Sequence, residues 1–193
     1  MLRLCAVVSA VVFCGVLGCA IPASATTYLP VTFDELVTRA DVIFVGEVID
    51  VRPYALNTPD GTIIKTRVTF SVSDPLYGTT SLVEVFDFLG GELNGVGMAV
   101  AEMPVFKVGD RRVMFASRER SLNPIVGFTQ GLLQVSRDVN GVDRVLTLDG
   151  SPLAAPESIG TRAPRVSLAP VTPMRLSDFR SRITGALTAA RRQ

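Results

Sequence analysis

The chain has 193 residues, 48% of them apolar, and a formal net charge of +1; that length favours one domain with appendages. It contains no His and no Trp, and all three cysteines (Cys5, Cys14 and Cys19) lie in the first twenty residues. The folded body therefore cannot carry a zinc site built on His, a Ser-His-Asp triad, a Cys-His dyad or a thiolate iron–sulfur cage.

The N-terminus reads as an export signal. Met1-Leu2-Arg3 supplies a short positive region and Leu4 to Cys19 an apolar core, and Ile21-Pro22-Ala23-Ser24-Ala25 ends in an A-x-A pattern. Pro22 breaks the helix ahead of the small residues. A second reading lies inside the first: Val16-Leu17-Gly18-Cys19 is a lipoprotein box that would make Cys19 a lipidated N-terminus. A third, an uncleaved anchor, is the least favoured, because the apolar run from Leu4 to Ile21 barely spans a bilayer. All three place the body outside the cytoplasmic membrane, periplasmic or secreted, and touching the membrane only through the signal or a lipidated Cys19.

The expected organisation is a signal peptide over 1–25, a β-barrel domain over 26–148, a Pro-rich linker over 149–174 and a basic amphipathic helix over 175–193. Charge divides along the same line: residues 26–156 are net −5 and residues 157–193 net +5. A body of that sign argues against nucleic acid as a partner.

Structure is expected to begin at Val31. Thr32-Phe33-Asp34-Glu35 is a capping box, with Val31 and Leu36 at the staple positions, and the helix it opens runs to Ala40. The pattern then changes to period two. Val42 to Val51 is a strand in which Gly46 marks a bulge or a close backbone approach. After the turn Asn57–Gly61, the stretch Thr62 to Val72 alternates, with Ile64, Thr66, Val68, Phe70 and Val72 on one face; Asp74–Gly78 stops it. Further strands are expected over Ser81–Phe88, Arg112–Ala116, Pro124–Phe128, Leu132–Asp138 and Val142–Leu148, the last two joined by the hairpin signal Asn140-Gly141. Gly90 to Gly97 reads as a mobile crossing loop; it lacks the Lys-Ser/Thr of a phosphate-binding loop. The fold class implied is mainly β, an OB-like closed or partly open barrel of five to seven strands. In the terminal helix, with Ser177 as its cap, Leu176, Phe179, Ile183 and Leu187 form an apolar stripe that needs a cover: the protein's own barrel, a partner or an anionic membrane. Docking on the barrel, closing one open end, is the leading expectation.

Three stretches carry a resemblance: Ala40 to Val48, Thr66 to Phe70 leading into Leu76-Tyr77-Gly78, and Phe106 to Phe115 followed by Gly127-Phe128-Thr129-Gln130-Gly131. Together with Gly90-Gly91 and Gly97 they resemble a family of exported bacterial proteins, some similar to segments encoded with or beside matrixin-type metalloproteases. The strand order is also similar to the netrin-like domain, the OB-type barrel of the tissue inhibitors of metalloproteinases. Those inhibitors chelate the protease zinc through an N-terminal cysteine; here the expected mature N-terminus is Thr26-Thr27-Tyr28, so that mechanism does not carry over.

Candidate chemistry is sparse. Asp87 and Glu92 flank the Gly90-Gly91 turn and are the only pair singled out for carboxylate-based hydrolysis, with Glu102 as a neighbour. Asp87, Glu92 and Asn94 could instead supply oxygen ligands to calcium. A Ser-Lys dyad has only Lys65 and Lys107 to draw on, and neither sits in a Ser-x-x-Lys setting. No cofactor is implied. The leading expectation is a non-catalytic binding or accessory module for a protein of the cell envelope or beyond it. Its contact candidates are Gly90, Gly91, Glu92, Gly95 and Gly97, with Arg111, Arg118 and Arg120 as a basic spot for an acidic partner or polysaccharide.

Overall fold

The computed structural model describes residues 29–160 and 171–192. The export signal, Cys19 and the central part of the expected linker, 161–170, lie outside the described residues. Among those described, no helix is long and apolar enough to cross a membrane.

The chain opens with α1 (Phe33–Arg39) and the capping box is complete: Thr32 Oγ1 accepts from the Glu35 N–H, while the Thr32 N–H donates to the Glu35 carboxylate. Those bonds hold the Glu35 carboxyl below its ordinary value. Val31 and Leu36, the staple pair, are both buried.

Eight strands follow: β1 (Val42–Thr58), β2 (Gly61–Tyr77), β3 (Val83–Leu89), β4 (Gly91–Leu93), β5 (Val96–Met98), β6 (Arg111–Ala116), β7 (Leu132–Arg137) and β8 (Asp143–Leu146). Six form one antiparallel sheet in the order β3-β2-β1-β6-β7-β8, and β4 and β5 form a separate two-stranded sheet. The main sheet is open and does not close into a barrel. Its two innermost strands, β1 and β6, are also those with unbroken apolar runs, Val42–Val45 and Val113–Ala116. Strands covered on both faces need apolar residues at consecutive positions, not alternate ones.

One face carries Ile43, Val45, Val113, Phe115, Leu133, Val135 and Val145 under α1 and the C-terminal helix α2 (Leu176–Ala190). The other face holds a phenylalanine cluster. Phe70 meets Phe44 at 5.5 Å and Phe106 at 5.7 Å, and Phe44 stacks on Phe86, two strands away, at 6.2 Å. Contact across that separation requires the sheet to curl, which follows from twist and from bulges in β1. One register shift falls between Val45 and Gly46, where a Cβ would lie 2.9 Å from the Phe44 ring and from the Ser71 carbonyl. The bulge and the close approach expected at Gly46 thus occur together.

Four expectations need correction. β1 and β2 each run 17 residues, because their hairpin continues beyond the core as an arm turning at Pro59-Asp60. Pro124–Phe128 is no strand; Ile125 forms an isolated bridge to Ala116, and its neighbours turn. The expected linker is in large part structural: Ser151–Leu153 and Met174 line the outer edge of β8, and Leu153 and Ile159 are buried. Prolines suit that place, since an edge does not need every N–H. Finally, Ser177 does not cap α2. Arg175 occupies that position in extended backbone, bridged to Arg144, so strand-like pairing sets where the helix starts.

α2 docks on the protein itself, as expected, but across the face of the sheet and not at a barrel end. Phe179 and Ile183 are fully buried. Its ion pairs, Arg180 with Asp74 and Arg182 with Glu157, are largely exposed on the arginine side. Exposed pairs contribute at most about 1 kcal/mol each, so the apolar stripe, not the charge asymmetry, holds the helix.

Candidate functional site

β3 ends in two glycines that redirect the chain. Gly90 has φ +99° and Gly91 φ +136°. A Cβ at Gly90 would stand 2.8 Å from the Met98 carbonyl, and one at Gly91 would stand 2.3 Å from Thr66 Oγ1. That hydroxyl donates to the Gly90 carbonyl at 2.7 Å and ties the turn to β2. The segment expected to be a mobile crossing loop is therefore a β-hairpin: Gly91 pairs with Met98, Glu92 with Gly97 and Leu93 with Val96. Its two-residue turn, Asn94-Gly95, has φ of 53° and 80°. Positive φ at both positions is the type I′ geometry that matches strand twist.

The hairpin and the following residues 99–106 wall a cleft of about 550 Å³. Its floor is Val51, Phe88 and Phe106, the two rings 4.7 Å apart. Met98, Val100, Met103 and Pro104 form the wall, and Glu92 and the exposed Val105 stand at the rim. Two methionines give such a wall adaptable, polarisable side chains. Of the contact candidates, Gly90, Gly91, Glu92 and Gly97 line the cleft, whereas Gly95 lies at the hairpin tip with open space around it.

The acidic candidates are not brought together. Asp87 accepts from Arg67 at 2.9 and 3.0 Å and from the Tyr54 hydroxyl at 2.8 Å. The Arg67 guanidinium, then Tyr54, holds the Asp87 carboxyl below its ordinary value despite partial burial. Burial first, and the carboxylate beside it second, push the Tyr54 phenol up. Arg67 also lies 5.2 Å from the Tyr54 ring centroid. A carboxylate so occupied has little capacity left for a metal or a proton. Glu92 is on β4, Asn94 at the hairpin tip, and no group of three or more His, Cys, Asp or Glu able to hold a metal forms among the described residues.

The arginines do not make one basic spot either. Arg111 and Arg118 lie near opposite ends of β6, about 20 Å apart at the rise of a strand. Arg111 makes a bidentate pair with Asp143 at 2.8 and 2.9 Å, and Arg137 binds the same carboxylate. The two guanidiniums hold the Asp143 carboxyl far below the usual range. Arg118 reaches the buried Glu84 at 3.0 Å. Arg120 lies beside Lys65 along a groove at the outer edge of β3.

Sequence reasoning missed Met98, Val100, Met103 and Phe106 as cleft residues. One signal was present: Asn94-Gly95 between two short runs is the same hairpin mark that was read at Asn140-Gly141. The Tyr54–Arg67–Asp87 cluster had no local signal, because Arg67 and Asp87 become neighbours only through the β2–β3 register. Comparison with family models, curated proteins and solved structures finds no match for this chain.

Proposed function

We propose that the protein is an exported, non-catalytic binding or accessory module. It holds an apolar side chain or short apolar segment of a protein partner outside the cytoplasmic membrane. The observation that carries this reading is the methionine-walled cleft over Phe88 and Phe106. Binding sites are typically concave and mostly apolar, with few polar groups at the mouth, and here Glu92 alone supplies a charge. The sequence likeness to segments found beside matrixin-type proteases suggests an extracytoplasmic protease as the partner. The open strand order departs from the netrin-like, OB-type architecture, so the reading does not rest on that likeness.

The test is co-purification from the envelope and culture medium of a bacterial host. The wild type should retain a partner that is lost both on Val100→Glu and on replacement of residues 91–98 by a short turn, with the melting temperature of the Val100→Glu protein kept. Retention by both variants would remove the cleft from the function. Turnover of a substrate abolished by Asp87→Asn or Glu92→Gln, in a folded protein, would replace the binding reading with a hydrolytic one.

A further inference from the structure

An open sheet has two edges, and this one treats them differently. The outer edge of β8 is covered: the Val145 N–H donates to the Met174 carbonyl, the Leu153 N–H to the Val145 carbonyl and the Thr147 N–H to the Ser151 carbonyl. At the other edge, the Gly90 N–H donates to the Ile64 carbonyl and the Val72 N–H to the Leu82 carbonyl, each at 2.8 Å. In an antiparallel ladder this parity assigns Glu84, Phe86 and Phe88 to β2, and turns the N–H and C=O of Val83, Val85, Asp87 and Leu89 outward. The ends of that row are occupied. Ser81 Oγ bonds both backbone groups of Val83, and the Leu122 carbonyl accepts from the Leu89 N–H at 2.9 Å. Between them, the outward N–H and C=O of Val85 and Asp87 have no partner among the described residues.

A groove of about 270 Å³ runs beside this gap, bounded by Val85–Asp87 on one side and Ser117, Arg118, Arg120 and Ser121 on the other. Its charges do not cancel. Arg118 is taken by Glu84, and Asp87 by Arg67. The Lys65 ammonium donates only to the Ser121 carbonyl, and Arg120 has no anionic partner among the described residues. Glu119, between the two arginines in sequence, does not line the groove.

We propose that the outer edge of β3 is a docking site for an extended, acidic peptide segment of a protein partner. The segment adds a short strand, exchanging backbone hydrogen bonds with Val85 and Asp87 and placing carboxylates toward Lys65 and Arg120. Main-chain bonding to an unpaired edge supplies affinity and the flanking side chains supply selectivity. Leu122 shows that this edge already accepts one carbonyl from a non-strand segment. A second copy of β3 fits less well, since its own carboxylate, Asp87, is neutralised by Arg67. This site is separate from the cleft and does not depend on the function proposed for it.

The probe is a fluorescein-labelled octapeptide alternating Glu and Val, with a Lys–Val peptide as its counterpart. Amide exchange in the free protein should be fast at Val85 and Asp87, and saturation with the Glu–Val peptide should slow both by about tenfold or more. Arg120→Ala should weaken binding by about tenfold. Val85→Pro should abolish it; the N–H it removes faces away from β2, so the β2–β3 ladder is preserved, which an unchanged melting temperature checks. The cleft variant Val100→Glu should bind the peptide as the wild type does. The proposal is overturned if the Glu–Val peptide does not bind. It is equally overturned if Val85→Pro folds and binds normally or if the Lys–Val peptide binds as well. Protection of Val85 and Asp87 by self-association without peptide would also overturn it.

Discussion

Replacing Phe179 by Ala isolates what holds α2 on the sheet. The side chain is fully buried, with its ring 5.7 Å from Phe33 and 6.3 Å from Phe115. Removing a buried phenylalanine ring costs about 3–5 kcal/mol when the surroundings do not collapse. That cost has a ceiling. A free 15-residue helix with Gly185 inside it is marginal in water, so once the cavity costs more than docking provides, α2 detaches and the loss stops growing. The double variant Phe179→Ala/Ile183→Ala separates the two cases: a helix still docked after the first change loses a further ~2 kcal/mol or more at the second, while a detached one loses almost nothing. Urea unfolding followed by far-ultraviolet circular dichroism and by tyrosine fluorescence is the assay. With no Trp in the chain, Tyr77, which packs against this core, reports on it. The melting temperature should fall by about 6–20 °C. A loss below about 0.5 kcal/mol for the single variant, the size of an ordinary surface change, would refute the assignment of α2 to this face. So would an unaltered melting temperature after truncation at Pro173.

Phe70→Ala, within ring contact of Phe44, Phe86 and Phe106, should cost about 3–5 kcal/mol in the same assay, whereas Lys65→Ala on the opposite face should stay within about 0.5 kcal/mol. Asp143→Asn breaks the pairs to Arg111 and Arg137 and should lower stability at neutral pH by about 1–3 kcal/mol. Because the Asp143 carboxyl is depressed in the folded state, its contribution is fully present above the unfolded value near about 4 and is lost as pH falls toward the folded one. The gap between wild type and variant in urea midpoint should therefore narrow below about pH 4; a gap that widens on acidification contradicts the pairing.

Much of the local architecture was legible in the residues themselves. The capping box at Thr32–Glu35, the bulge at Gly46, the alternation of β2 and the apolar stripe of α2 depend on backbone sterics and on side chains one to four positions apart, which the sequence displays directly. Tertiary structure decided what depends on pairing between distant segments. The order β3-β2-β1-β6-β7-β8 leaves the sheet open, and no local period records whether a last strand returns to the first. Leu153 and Ile159 leave their Pro-rich context for the core because β8 offers an edge to cover and α2 a surface to pack against. The Asp87 carboxylate, placed in sequence beside a glycine turn, is claimed by Arg67 and Tyr54 across the sheet, and the cleft exists only where the Gly90–Met98 hairpin folds over Phe88 and Phe106. Local propensity acts over a few residues, whereas register and burial are collective, so the sequence by itself specified the elements and the assembled sheet determined which side chains meet.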